Sequence, residues 1–256
     1  MSFFNKILAS VGVGSAKVDA KLSKSSIMIG EKVEGVIDVQ GGNVEQAVDE
    51  IYLTVNTNYE KEQDDRVINK HVVIATIKLN EPFVIMPGET KTFPFQIEMP
   101  LDTPVSVGSS QVWIQTGVDI KGAVDPQDRD IVTILPNNMM DQILNVMKEL
   151  GFSLRKVKNE EASFKLRKRL PFVQEFEFIP TSGSYYGKFD EVEVMFFLID
   201  DQKIEVVVEV DRRARGLAGL FSEALDLDES IIKFTIEENE LHQVRNIFKE
   251  ILENHS

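Results

Sequence analysis

The stretch 83–104 limits the fold more than any other part of the chain, because its prolines and glycine fix where the backbone turns and where a strand ends. Residues 86–89, Met-Pro-Gly-Glu, predict a tight turn, since proline presets φ at the second position and glycine accepts a positive φ at the third. Pro94 lacks an amide donor, so we expect the strand after this turn at a sheet edge or a bulge. Alternation of apolar and polar residues predicts that its inner face carries Phe93, Phe95, Ile97 and Met99.

Residues 27–39 carry a second motif, in which Gly30-Glu31 turns the chain and an alternating strand follows with Val33, Gly35, Ile37 and Val39 on one face. Together the two motifs resemble the arrestin-like sandwich, where a hydrophobic-Pro-Gly-Glu turn and a Phe-Pro-Phe strand recur. The resemblance extends over the whole chain to the bacterial sporulation-control proteins of this clan, the SpoOM-type family, including the helix at 138–150 and the segment 211–221. It implies a non-enzymatic adaptor or scaffold of two sandwiches that controls sporulation through protein contacts.

The strand pattern changes at residue 135, which predicts two domains, 1–135 and 136–256. In the first, alternating segments predict an antiparallel sandwich. Its inward-facing residues are predicted to include 71, 73, 75, 77 and 79, then 112, 114, 116, 118 and 120, and finally 131, 133 and 135. The second is predicted to open with the helix 138–150, capped by Asn138, and to close with the helix 239–253. Between them a second sandwich is predicted, with strands at 152–157, 163–170, 172–179, 192–199, 204–210 and 231–236. We therefore predict a mainly β chain of tandem arrestin-like β-sandwich domains with short N-terminal, interdomain and C-terminal helices.

Charge and composition restrict the partners. The net charge of −14 disfavours nucleic acid and anionic lipid, and it favours basic partners. The chain has no cysteine, no evident leader and no apolar run long enough to span a bilayer, so a cytoplasmic location without a transmembrane segment is expected. Residues 2–11 have helical apolar spacing, and docking of this short helix on its own sandwich is favoured over membrane or partner contact.

Catalytic, metal and cofactor motifs are not found in the sequence. It has three histidines, and it lacks the spacings of hydrolase elbows, zinc peptidases and phosphate loops. An EF-hand pattern beginning at Asp226 fails because Ile231 occupies the position that requires glycine. We expect no enzyme activity, no cofactor and no metal site.

Two groups of residues are candidates for binding a partner protein. The basic residues 165, 167 and 169 share one face of the predicted strand 163–170, and a second arginine cluster lies at 212–215. They could recognise an acidic or phosphorylated partner, although neutralising the protein's own carboxylates is the simpler interpretation. The apolar segment 216–221 is either an exposed anchor or, more simply, buried. The candidate residues are Lys165, Arg167, Arg169, Arg212, Arg213, Arg215, Leu217 and Phe221.

A small-molecule or anion-binding carrier is the alternative function, and a deep pocket with convergent polar groups would favour it. Exposed sheet edges or the 239–253 helix are candidate surfaces for a homodimer. The sequence names no partner protein.

Overall fold

A computed structural model describes residues 15–64, 66–79, 82–121, 124–212 and 229–256. The chain divides into two compact units. Unit 1 takes the described parts of 1–58, 71–105 and 111–135, and unit 2 takes those of 59–70, 106–110 and 136–256. Within the described ranges, no helix is long and apolar enough to cross a bilayer.

Unit 1 is built from strands in two sheets. One sheet has the order β1-β3-β7; in the other, β4-β8-β9-β2 are neighbours, with β5 and β6 also paired to β4. Strands β1, β8 and β9 make contacts between the sheets, and buried residues such as Ile37, Ile51 and Ile114 form the core. The strands are β1 Lys17–Leu22, β2 Ser26–Met28, β3 Lys32–Gln40, β4 Gln46–Gln63, β5 Arg66–Lys78, β6 Phe83–Ile85, β7 Thr90–Glu98, β8 Val112–Ile120 and β9 Gln127–Leu135, with the far ends of β4 and β5 in unit 2.

The turn at 86–89 and the strand after it have the predicted geometry. Gly88 has φ of +73°, and the Glu89 amide donates to the carbonyl of Met86 at 3.1 Å. Strand β7 pairs with β3 and is the last strand of its sheet, which leaves Pro94 at the edge. Phe95, Ile97 and Met99 are buried, so the predicted inner face is confirmed.

In unit 1, β9 and the first part of β5 have the opposite phase from the one predicted, whereas the predicted residues 75 and 77 of β5 are half-buried beside the exposed residues 76 and 78. In β9, Val132 and Ile134 are buried, whereas Ile131 is 59% exposed. In β5, Ile74 is buried and Val73 is exposed. Both strands contain consecutive apolar residues, so period-two alternation fits either face.

In its described part, unit 2 contains five antiparallel strands in the order β14-β13-β12-β11-β10, and β10 also pairs in parallel with the end of β4 at Glu60. Its strands are β10 Phe152–Glu161, β11 Phe172–Pro180, β12 Phe189–Asp200, β13 Lys203–Arg212 and β14 Glu229–Glu237. The helices are α1 Asn138–Glu149 and α2 Val244–Asn254, with 3-10 turns at Gly183–Tyr185 and Glu238–Gln243. The organisation of the chain as two arrestin-like sandwiches in tandem remains a prediction.

The helices of unit 2 bury the predicted apolar stripes. Met139, Met140, Ile143 and Met147 are buried in α1, so the methionines belong to the core and do not form an exposed binding face. In α2, Phe248 is buried against the ring of Phe234 on β14, with the centroids 5.9 Å apart. The N-cap of α1 is Asn137, whose side chain accepts from the Met140 amide at 3.0 Å; the prediction of Asn138 was wrong by one residue.

The predicted strand at 163–170 is wrong, because these residues form a turn and an irregular loop between β10 and β11. Three apolar residues four positions apart, Ala162, Leu166 and Leu170, are buried, and the residues between them are exposed. The predicted N-terminal helix and the candidates Arg213, Arg215, Leu217 and Phe221 lie outside the described residues. Arg212 is the last residue of β13, and its side chain is not among those described.

Candidate functional site

The loop 162–171 folds back over one face of the unit 2 sheet. Amide–carbonyl hydrogen bonds join Ala162 to Pro171 at 2.9 Å and Leu166 to Ser163 at 3.0 Å, which close the base and the tip of the loop. Below it lies a small apolar cluster formed by Ala162, Leu166, Val173, Met195 and Val207, with Phe197 at its side. Apolar burial therefore holds the loop against the sheet.

The tip of this loop presents an aromatic ring to solvent. Phe164 and Lys165 are the two central residues of the turn closed by Ser163 and Leu166, and central turn positions point away from the chain. As a result the Phe164 side chain is 98% exposed. The loop is also tied to the sheet by Lys233, whose Nζ donates to the Lys165 carbonyl at 3.2 Å.

The sheet face beside the loop is lined with charges. Strand register aligns two rows across the five strands: Lys156, Glu177, Glu193, Glu209 and Ile231 in one, and Lys158, Glu175, Met195, Val207 and Lys233 in the next. In the second row, the loop covers the two apolar residues, Met195 and Val207. Three successive strands thus place glutamates on one face, whereas the opposite face of the same strands carries buried residues such as Phe176, Val194 and Val208.

A groove of about 550 Å³ lies between the loop and this charged face. Phe164, Leu166, Val173 and Ile231 provide its apolar walls. Its charged lining has five carboxylates and two ammonium groups: Glu160, Glu161, Glu175, Glu193, Glu209, Lys158 and Lys165. We call this feature the acidic groove.

Burial and mutual repulsion alter the titration of the groove carboxylates. Burial raises the pKa of Glu175 to about 7, with repulsion from Glu193 adding to the effect and Lys158 opposing it. Burial likewise raises the pKa of Glu193 to about 7, again opposed by Lys158 and supported by Glu209, Glu191 and Glu160. Lys158 pairs with Glu160 and lies 3.3 Å from Glu175. Burial lowers the pKa of Lys158, but the two carboxylates raise it more, so this group stays charged.

Next to the groove, Glu177, Glu191 and Glu193 bring carboxylate oxygens within 4.8 Å of one another, a spacing at which they could share a cation. Arg155, the extra residue at the bulge in β10, forms ion pairs with both Glu177 and Glu191. Its guanidinium supplies positive charge to two of the three carboxylates, so the cluster is explained by an internal ion-pair network.

Three of the predicted binding residues have described side chains, and all three lie on the loop 162–171. Lys165, Arg167 and Arg169 are all exposed on the loop 162–171, and Lys165 lines the acidic groove. Lys168 on the same loop pairs with Glu205 at 2.9 Å, which agrees with the interpretation that basic residues here neutralise the protein's own carboxylates. Sequence reasoning missed the acidic groove. The signal that could have revealed it is the repeated Glu-apolar-Glu pattern in β11 and β12.

Comparison with known proteins gives matches over nearly the whole chain. Residues 4–214 match the family described as SpoOM protein. The sporulation-control protein spo0M of Bacillus subtilis (strain 168) is 39% identical over 259 aligned positions, covering 100% of both chains. The crystal structure of Spo0M from Bacillus subtilis superimposes with a TM-score of 0.86 at 37% identity, covering 95% of this chain and 100% of that one. On its sequence and its mainly β fold, the chain belongs to the SpoOM family.

Proposed function

We propose that this protein is a non-enzymatic adaptor that controls sporulation in the cytoplasm by binding another protein, and that unit 2 binds that protein with the loop 162–171 and the sheet face beside it. The observation that carries the proposal is the exposed Phe164. A phenylalanine that is 98% exposed loses favourable burial, and a partner surface can restore it. The control of sporulation is taken from the name of the Bacillus subtilis relative.

The environment of the histidines supports a role without catalysis. His71 Nε2 lies 2.9 Å from the amide oxygen of Asn56, and its ring stacks on Trp113. His242 and His255 contact backbone carbonyls at 3.0 and 2.7 Å. The polar partner described for each histidine is an amide oxygen, which does not provide the nucleophile partner of a hydrolytic site.

The carrier alternative receives less support from the same groove. Glutamates outnumber lysines in its lining, so the field inside repels an anionic ligand. The groove is also open along the sheet face beside an exposed turn, as expected for a surface that a polypeptide contacts.

The proposal is tested by crosslinking and affinity capture from the cytosol of sporulating Bacillus cells, followed by identification of the captured protein and direct binding with purified components. The test variant is Phe164→Ser, which removes the ring without adding a charge, and the matched control is Val67→Ser, at another exposed apolar residue. We expect one identified partner to bind the unmodified chain and the control but not Phe164→Ser.

Absence of any directly binding protein would contradict the adaptor function. Equal binding by Phe164→Ser would contradict the proposed surface. A triple charge reversal of Lys165, Arg167 and Arg169 examines the predicted basic site, and it abolishes capture if the partner segment is acidic. The predicted homodimer is examined separately by light scattering of the purified chain.

A further inference from the structure

We propose that the acidic groove of unit 2 binds a basic segment of the partner protein, with a lysine or arginine side chain above the glutamates and a neighbouring apolar side chain against Phe164. This inference rests on the proposed function, because it specifies the chemistry of the protein that the adaptor binds. The basic residues of the loop alone would suggest an acidic partner, whereas the acidic groove favours a basic one.

Charge complementarity is the first argument. The lining has five carboxyl and two ammonium groups, and it keeps a net negative charge near pH 7 although Glu175 and Glu193 are then only about half ionised. Lys158 already contacts Glu160 and Glu175, and Glu161 pairs with Lys61 at 2.6 Å. Glu193 lies among Glu160, Glu191 and Glu209, all of which oppose its ionisation. A partner cation placed there would offset this repulsion.

The shape and apolar lining of the groove favour a polypeptide over a small cation. Its volume of about 550 Å³ is far larger than one ammonium group requires. Phe164 is fully exposed and Ile231 is 43% exposed, so the groove presents apolar surface beside the carboxylates. A segment that carries basic and apolar side chains in close succession matches both features.

The titration of the groove predicts how the binding of this segment depends on pH. A bound cation favours the ionised form of Glu175 and Glu193, so binding releases protons and strengthens as pH rises from 6 to 8. The pKa of both glutamates is about 7 in the free protein. The charged groups that face them from the surrounding elements are Lys158 and Glu160 on β10, Arg155 at its bulge, Glu177 on β11, Glu191 on β12, Glu209 on β13, Lys233 on β14 and Lys165 on the loop.

The test is a fluorescence anisotropy titration of the purified full chain, in about 150 mM salt, with a labelled nonapeptide in which lysine and threonine alternate around one leucine. Glu193→Gln should weaken binding about fivefold, the size expected for one partly buried charge pair. Lys165→Glu should strengthen it. Glu62→Gln, which changes the net charge equally outside the groove lining, should leave it unchanged.

Three results would overturn the inference: no binding, equal weakening by Glu193→Gln and Glu62→Gln, or spermidine binding as tightly as the peptide. The second indicates attraction by the net charge alone, and the third indicates a small-cation site. If the capture experiment depends on Phe164 but the peptide does not bind, the adaptor function stands and the basic partner is wrong. If the peptide binds but no protein is captured, the adaptor function is wrong.

Discussion

Replacing Glu193 with glutamine should stabilise the protein at high pH and leave its stability unchanged at low pH. Glutamine has nearly the shape of the protonated side chain but cannot ionise. The pKa of Glu193 rises from 4.5 to about 7 on folding, mainly because of burial. The folded state therefore binds this proton more tightly than the unfolded state, and stability falls as pH rises from about 4.5 to 7 and is constant above that range.

The size of the effect follows from the same shift. The pKa difference of about 2.5 between the folded and unfolded states corresponds to about 3.4 kcal/mol, at about 1.36 kcal/mol for each pH unit. Glu193 is partly exposed and shares its repulsion with Glu175, so solvent screening and coupling reduce this figure. We expect Glu193→Gln to raise the free energy of unfolding by about 1–2 kcal/mol at pH 8 and by almost nothing at pH 4.

Urea unfolding followed by far-UV circular dichroism at pH 4, 6, 7 and 8 measures this difference. The fluorescence of Trp113, the single tryptophan, reports on unit 1 in the same samples. Glu62→Gln is the control, because this exposed carboxylate lies outside the groove lining. A variant no more stable than the parent at pH 8, or an equal gain at pH 4, would refute the electrostatic description of the groove.

Three further changes test other features of the two units. Gly88→Ala should lower the free energy of unfolding by about 1 kcal/mol, because φ of +73° strains an L-residue although no atom obstructs the added methyl group. Thermal unfolding measures this loss, and Gly88→Asn should lose less. Asn137→Ala should cost about 1 kcal/mol by removing the cap of α1, and unchanged urea unfolding would contradict the cap. Arg155→Met should destabilise the protein by about 1–3 kcal/mol, since it leaves buried Glu177 without its cation; an unchanged midpoint of urea unfolding would contradict the ion-pair network.

Sequence patterns predict the elements whose backbone is restricted locally. The turn at 86–89, the edge position of Pro94 and the two helical stripes of unit 2 depend on neighbouring residues, so they can be read from the sequence. In β9 the decision between two apolar faces depends on the other sheet, so alternation alone was not sufficient.

The loop 162–171 shows why a period can mislead. Charged and apolar residues alternate there as in a strand, but the buried positions 162, 166 and 170 recur every four residues. Because these three residues are buried, Phe164 between them is exposed. Strand alternation had instead predicted that Phe164 lies on the same face as Leu166 and Leu170.

The acidic groove depends on information that is absent from local sequence. Its glutamates lie on β10, β11, β12 and β13, and only the register of the sheet brings them together. The Glu-apolar-Glu pattern predicts that each strand has a polar face, but it does not predict that an apolar loop covers part of that face and leaves the remainder open.

Zero-length carbodiimide coupling between the lysine peptide and the intact protein, mapped by mass spectrometry, tests the basic-partner account most directly. The chemistry joins an amine only to a carboxylate in direct contact with it. We predict crosslinks to Glu160, Glu175, Glu193 or Glu209, and their loss in Phe164→Ser, which removes the ring without adding a charge. Crosslinks spread over the exposed carboxylates of unit 1, or crosslinks unaffected by the change at Phe164, would contradict binding of a basic segment in the acidic groove.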